Sequence, residues 1–598
     1  MNKLKQIISK NFTGFAYFYR HLRYRLFVLL ILSLSIGILD GFGLSMFLPL
    51  LQMVGDTGSS SSGSLGNLNF LVTALESIGI SFTLISVLII MVLFFSLKGI
   101  ASFFSYSYRT IIQQFFIRTL RENLIGSFSH VNYKYFVKAD AGRAQNAMSG
   151  EVERVSRAFQ SYTATIENVV LVMVYLSFAF LVDARFALLV AAGGWATNFL
   201  YKIIYKKTKT ASRKFSKDAN LYQGLIIQYV SNFKYLKATA LLGDYARQMI
   251  RSIRQIEESR RKIGILNAIL QAIREPLMIL IVSVVILIQT IILQAPLAPI
   301  LISLLFFYRA LTALVSMQNN WNQYLAVSGS MENLVDFQKE LVSNREEVGQ
   351  LNFNALKDNL KIENASFSYA NEKILKNLTL QINRGETIAF VGESGGGKTT
   401  LVNLLAGLMP VDEGIYLIDG QDRMETNITS FQKRLGYVTQ EPVIFNDTIF
   451  NNVTFWGERN THNLHRFNDA LKQASIAKFI SELPEGDETM LGSNGINLSG
   501  GQRQRISIAR ELYKDIDILI LDEATAALDS EAEQMIQMSI EKLKGRYTLL
   551  VVAHRLATIR NADRIVLIRQ GRIEEVGSFD DLMKKNLAFN KMVELQEL

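Results

Sequence analysis

The sequence contains no cysteine in 598 residues, which excludes disulfides, thiol catalysis and cysteine-built metal sites. Proline is scarce, with 7 in all, and residues 105–162 and 206–275 have none. Both of those long polar segments are therefore free to run as uninterrupted helix. An aromatic-interleaved basic patch is missing too, because the basic residues flank apolar spans. Nucleic acid is thus not expected as a partner, even at a pI of about 9.3. The amino-terminal 25 residues carry Lys3, Lys5, Lys10, Arg20, Arg23 and Arg25, with no short apolar core and small-residue cleavage site following. They read as a basic amphipathic lead-in on the cytoplasmic face rather than a cleaved signal peptide.

What is present divides the chain in two. Residues 1–330 hold 33 Lys+Arg against 14 Asp+Glu, and the remainder holds 30 against 39. A basic apolar half joined to a mildly acidic half, at 49% hydrophobic residues overall, points to a membrane part fused to a soluble one. Six apolar segments are long enough to cross a bilayer: 26–51, 82–104, 163–182, 186–205, 276–293 and 298–316. The two basic segments between them face the cytoplasm by the positive-inside rule, as does the amino terminus. They read as spanning helices continued outward, each pair joined by a short cross-helix, near 146–155 and near 231–238. Residues 68–78 place Leu68, Leu71, Val72, Leu75 and Ile78 on one helical face, too short to span, and read as a helix on the outer surface. The expected division is a transmembrane domain at 1–330, a polar connector at 331–350 and a soluble domain at 351–598.

The soluble half is organised around one loop. An apolar strand, 387–391, leads into Gly392-Glu-Ser-Gly-Gly-Gly-Lys-Thr399, and a helix follows from Leu401. This is the G-x-x-x-x-G-K-[ST] pattern, in which glycines let backbone N–H groups turn toward phosphate oxygens at a helix N-terminus. Lys398 would reach the outer phosphates and the Thr399 hydroxyl would ligate Mg²⁺. A second apolar strand, 516–523, ends in Asp522 and Glu523, a carboxylate pair suited to holding the metal and orienting a water. Ser499-Gly-Gly501 opens another helix, either as a simple cap or as a second phosphate cradle. Two cradles for one triphosphate point to a site shared across a two-fold axis.

Together with Gln440, Gln502, Ala527-Leu-Asp529 and His554, these motifs stand in the order and spacing of ABC-transporter nucleotide-binding domains. The whole chain resembles an ABC exporter half-transporter. The fold it implies is a polytopic α-helical membrane domain, six transmembrane helices with long cytoplasmic extensions, fused to an α/β P-loop ABC ATPase domain. The resemblance implies ATP and Mg²⁺ as cofactors and a second identical chain completing two composite sites. It makes Tyr369 the residue stacked on adenine and puts Gly392, Ser394, Gly395, Gly397, Lys398, Thr399 and Thr400 around the phosphates. It gives Thr399, Gln440 and Asp522 to the metal, and makes Glu523 the residue that polarises the attacking water. His554 would contact the γ-phosphate, Asp529 would bridge the two sites, and Ser499, Gly500, Gly501 and Gln502 would close over the partner's ATP. One departure is Gly492-Ser-Asn-Gly495, where many exporters have a glutamate after the first glycine.

Asp40, Lys98, Arg274 and Arg309 lie in or at the edge of the apolar segments. Charges there cost several kcal/mol and face a partner or a cavity. Two readings are open: internal pairing, as of Asp40 with Lys98, or a basic belt of Lys98, Arg274 and Arg309 for an anionic head group. Residues 38–49, 95–99, 273–275 and 307–310 resemble the equivalent stretches of bacterial lipid-linked oligosaccharide flippases, in which arginines line the cavity and a short external helix engages the polyprenyl tail. Lys98 stands where those proteins have arginine, and Val315 or Ser316 stands at a further basic position. The resemblance implies a flippase for an anionic polyprenyl-pyrophosphate lipid in a bacterial inner membrane, its nucleotide-binding domain in the cytoplasm. The alternative within the class is an exporter of a peptide, another lipid or a drug.

Overall fold

The computed structural model describes residues 17–19, 22–47, 50, 83–182, 184–288, 291, 297–369, 372–523, 530–553, 555 and 559–597. The chain forms two compact units. One comprises Met1–His130 with Ala139–Asn344, and the other Val131–Lys138 with Arg345–Leu598.

The first unit is helical. Its principal helices are α1 (Arg25–Ser45), α2 (Leu84–Phe128), α4 (Val152–Val182), α5 (Ala184–Ser231), α6 (Phe233–Ala238), α7 (Leu242–Leu287) and α8 (Leu297–Ser343). At 1.5 Å per residue the 45 residues of α2 extend about 68 Å, roughly twice a ~30 Å hydrocarbon core, so an apolar span continues into a long polar extension. Thr83 starts that helix with a capping box, its side chain accepting from the Ser86 backbone N–H while Ser86 Oγ accepts from the Thr83 N–H. Among the described residues four helices are long and apolar enough to cross a membrane: Arg25–Ser45, Leu84–Phe128, Gly142–Val182 and Leu242–Leu287. The expected fourth and sixth spans fall within the continuous helices α5 and α8 and are not among those four. Helix α4 packs along α8, with Tyr175 and Phe178 meeting Phe306 and Ala310 in one apolar cluster. Phe18 is fully buried against Phe116 and Phe159, so this part of the lead-in is a core element of the bundle rather than a surface-lying stretch. The proposed outer helix at 68–78 lies outside the described residues.

Two expectations need correction. The segment near 146–155 is not a cross-helix: a short helix, Ala141–Asn146, passes through a π turn, Ala147–Glu151, directly into α4. The reason is Glu151, whose carboxylate is fully buried and takes Ser216 Oγ–H at 2.5 Å, Asn333 Nδ2–H at 3.0 Å and an ion pair with Arg154 at 3.0 Å. A segment anchored by so many internal bonds is part of the bundle. The short helix α3 lies earlier, at Tyr133–Lys138, and the second one, α6, lies at Phe233–Ala238. The connector is also shorter than 331–350, because α8 continues helically to Ser343 and the compact units change at Asn344–Arg345.

The second unit holds two sheets. A four-stranded antiparallel sheet has the order β2-β1-β4-β5, from β1 (Asn359–Tyr369), β2 (Glu372–Asn383), β4 (Glu413–Ile418) and β5 (Gln421–Asp422). A six-stranded sheet has the order β10-β9-β3-β8-β7-β6, from β3 (Thr387–Val391), β6 (Leu435–Val438), β7 (Ile518–Asp522), β8 (Thr548–Val552), β9 (Arg564–Arg569) and β10 (Arg572–Gly577). It is parallel except for β10, which returns antiparallel to β9. Strands β3, β7 and β8 are buried at every position, which explains their unbroken apolar runs. In β7, Leu519 and Leu521 face one core while Ile518 and Ile520 face the other. Helix α9 (Lys398–Leu405) lies on the second face, and α10 (Gly500–Tyr513) on the first.

Candidate functional site

The carboxyl ends of β3 and β7 bring the chemistry together. After β3 the chain turns at Gly392, where φ is +145° and an added Cβ would sit 2.0 Å from the Ile568 carbonyl oxygen, so only glycine fits. Gly397 (φ +103°) then sets the N-terminus of α9. Lys398 is 95% buried beneath this loop, and its ammonium donates to the carbonyls of Gly392 (2.9 Å) and Glu393 (3.0 Å). Burial pulls its pKa down from the usual lysine value, and the carboxylates of Glu523 and Asp522 oppose that shift. A cation kept in a desolvated glycine loop at a helix N-terminus is a fit for a polyphosphate, whose charge would relieve the burial cost.

At the end of β7, Asp522 is nearly buried, and the Tyr437 hydroxyl lies 3.3 Å from its Oδ2 and 3.0 Å from Asn403 Oδ1. Burial, reinforced by the charge of Asp522, raises the Tyr437 pKa, so this phenol stays protonated and serves as a donor. Glu523 follows in the left-handed region, φ +49°, with its N–H donating to Val552 O at 3.2 Å. A glutamate held there costs about 1–3 kcal/mol, a strain that functional sites retain. It turns the carboxylate out of the sheet toward Gln440, whose Nε2 donates to Glu523 Oε2 at 2.7 Å. Lys398, Gln440, Asp522 and Glu523 thus converge.

Ser499 caps α10: its Oγ accepts from the Gln502 N–H at 3.3 Å, and Gln502 Oε1 accepts from the Ser499 N–H at 2.8 Å. The simpler of its two sequence readings is therefore realised, with Gly501 buried behind it. Tyr369 is half-buried at the edge of the core, its hydroxyl donating to Met409 Sδ at 3.3 Å and its ring edge-on to Phe367 at 5.0 Å. Thr399 and Thr400 occupy the first turn of α9. Asp529 and His554 lie outside the described residues. The departure at Ser493–Gly495 is a 3-10 turn with Asn494 in the left-handed region.

Asn403 and Tyr437 were not singled out from the sequence. A polar side chain on the buried face of the helix after the loop was the available signal for Asn403. Helix α3 was also missed, although it joins this unit directly. Lys134 Nζ donates to Asp412 Oδ1 at 3.0 Å and sits 4.9 Å from the centre of the Phe367 ring. Tyr133 packs against the core that contains β7.

In the helical unit, Lys98 Nζ is 2.5 Å from Asp40 Oδ1, and the Tyr175 hydroxyl donates to the other Asp40 oxygen. Asp40 is fully buried, and Arg309 lies close enough to act electrostatically on Tyr175. Internal pairing of Lys98 is what the structure contains. For Arg274 the structure describes only a helical backbone position in α7.

Comparison with known proteins bears on this geometry directly. Residues 375–526 match the family model for ABC transporters. An ATP-dependent lipid A-core flippase of Cupriavidus metallidurans is 32% identical over 502 residues, covering 82% of this chain and 83% of its own. The chain belongs to the ABC transporter family. A heterocyst differentiation ATP-binding protein, HepA, of Nostoc sp. is 30% identical over 478 residues, 78% of this chain and 77% of its own length. A lipid A-core flippase of Syntrophus aciditrophicus is 41% identical over 296 residues, but that match spans only 50% of this chain and 48% of the relative. A solved structure of a bacterial Atm1-family ABC exporter with ATP bound superposes with a TM-score of 0.75 at 24% identity, covering 96% of this chain and 99% of its own. The ABC exporter fold is thereby shown, and the C-terminal unit is its ATP-binding domain.

Proposed function

We propose that this ABC transporter works as a homodimeric, ATP-driven flippase that moves an anionic polyprenyl-pyrophosphate lipid, such as a lipid-linked oligosaccharide, to the outer side of a bacterial inner membrane. The observation that carries the ATPase part is the convergence of Lys398, Asp522, Glu523 and Gln440 at the ends of β3 and β7. Thr399, Asp522 and Gln440 would hold Mg²⁺ with the phosphates, and Glu523 would draw a proton from the attacking water. Gly392, Ser394, Gly395, Gly397 and Thr400 would wrap the phosphates, and Tyr369 would meet the base. Ser499, Gly500, Gly501 and Gln502 of a second copy would close each site, with Asp529 and His554 completing it. Exporter relatives named for a lipid A-core flippase support a lipid as cargo. The charged cluster of Asp40, Lys98 and Arg309 within otherwise apolar helices supports an anionic one. Because Asp40 neutralises Lys98, the head group would fall chiefly to Arg309 and Arg274.

The test is ATP hydrolysis by the purified chain in liposomes, titrated with polyprenyl-pyrophosphate glycans, with glycerophospholipids and with peptides. Stimulation confined to the polyprenyl pyrophosphates is expected. Stimulation by peptide alone would replace this reading with that of a peptide exporter.

A further inference from the structure

Helices α2, α4 and α8 border an open pocket of about 380 Å³ whose lining includes Arg109, Gln113, Gln160, Ser161, Asn320 and Gln323. All six lie within about 3–14 Å, along their helices, of the inner ends of the expected spans. This is the depth at which a lipid head group in the inner leaflet reaches the protein. Small-molecule pockets of ~300–1,000 Å³ are lined mostly by apolar side chains. This lining is instead built mainly of amides, hydroxyl-bearing side chains and one guanidinium.

The charge is balanced locally. Arg109 pairs with Glu167, so the pocket has no net positive charge to offer a phosphate. The Arg109 Nε is nevertheless buried without a hydrogen-bond partner among the described residues, a cost the fold carries at the edge of this pocket. Gln160 Nε2 donates to Gln113 Oε1 at 3.0 Å, and Gln113 Nε2 donates to Ser156 Oγ at 2.8 Å. That chain fixes the orientation of the amides. Each primary amide offers two donors and an acceptor, matching hydroxyl groups that both donate and accept.

We infer that this pocket is a saccharide subsite, taking the uncharged, hydroxyl-rich part of the cargo while the basic residues deeper in the membrane take its phosphates. The inference rests on the flippase reading for its place in transport, but the pocket's preference for sugar over phosphate stands on its lining alone. It gives the protein a way to favour glycan-bearing lipid over the bare polyprenyl pyrophosphate.

The experiment uses the full-length protein in nanodiscs and a neutral N-acetylated trisaccharide that has neither lipid nor phosphate, with binding followed by saturation-transfer NMR. Gln160 and Gln323 are exposed, so the double variant Q160L/Q323L is expected to keep the wild-type elution volume and helical content. Saturable binding by the wild type, weakened at least tenfold in the variant, is the expected result. In liposomes, the advantage of glycan-bearing over sugar-free polyprenyl pyrophosphate in half-stimulating concentration should fall to near unity in the variant. Absence of trisaccharide binding to the wild type, equal binding in the variant, or displacement of the trisaccharide by inorganic pyrophosphate would each overturn the inference. Glutamine-dependent trisaccharide binding without stimulation by any polyprenyl lipid would sustain the subsite and remove the flippase reading.

Discussion

Replacing Glu523 with glutamine isolates one step of the cycle. In the structure its Oε2 accepts a hydrogen bond from Gln440 Nε2 at 2.7 Å. The amide oxygen of a glutamine can accept the same bond, and its backbone can keep the φ of +49° at equal cost. Fold and ATP binding should therefore survive, with stability changed by no more than about 0.5 kcal/mol. The variant cannot take a proton from water. A positioned general base contributes about 10²–10⁴ in rate, which is ~2.7–5.5 kcal/mol of barrier at 1.36 kcal/mol per decade. Phosphate release at saturating ATP should fall by that factor, while filter binding shows ATP retained and cross-linking shows the dimer closed. Phosphate release within threefold of the wild type would refute the assignment of Glu523 as base, and with it the role given to its strained backbone.

Three further perturbations address other contacts. Lys134→Ala breaks an ion pair with Asp412 whose two side chains are each 33% exposed, so it should cost only ~0.2–1 kcal/mol in denaturant melts. It should nonetheless remove lipid stimulation of ATPase, because α3 interrupts the helical unit in sequence yet packs with the ATPase unit; undiminished stimulation would argue against that coupling. Asp40→Asn leaves Lys98 without its partner and should lose about 3–5 kcal/mol in thermal unfolding, whereas D40N/K98M should recover most of it. If the double variant is as unstable as the single one, the pair is not what holds α1 to α2. Arg510→Met removes bonds to Asn452 O (2.6 Å), Val443 O (2.6 Å) and Asn452 Oδ1 (2.8 Å) and should destabilise the C-terminal unit by roughly 3 kcal/mol, given ~1–3 kcal/mol for each buried acceptor left unmet. A loss below about 0.5 kcal/mol would show that solvent replaces the guanidinium there.

The ATPase core was legible because its determinants are local. Strand β3, the glycine loop and α9 are contiguous, and their hydrophobic period and left-handed glycines are written into a dozen residues. The carboxylates of Asp522 and Glu523 were placed by the same logic, as the end of a run buried on both faces. What was not legible depends on distant partners. Nothing next to Tyr437 in the chain says that it will meet Asp522, 85 residues on. The short helix α3 carries no strong period in six residues, and it was misplaced to 146–155, where the charged pattern belongs to a buried network around Glu151. Ser499 read equally as a cap or a cradle because one hydroxyl can do either, and in a single chain it caps. The pocket of Gln113, Gln160 and Gln323 is assembled from three helices, so no single segment of sequence announces it.

The central claim is that ATP hydrolysis at this site moves a lipid head group across a bilayer. Its most direct test is a proteoliposome assay with a fluorescently labelled polyprenyl-pyrophosphate glycan, in which head groups moved into the lumen, away from the outward-facing ATPase domains, become protected from a membrane-impermeant quencher. Protection that grows with ATP, is absent in Glu523→Gln and is lost on neutralising Arg274 and Arg309 together is the predicted result. Equal protection with and without ATP, or undiminished protection in either variant, would contradict the account.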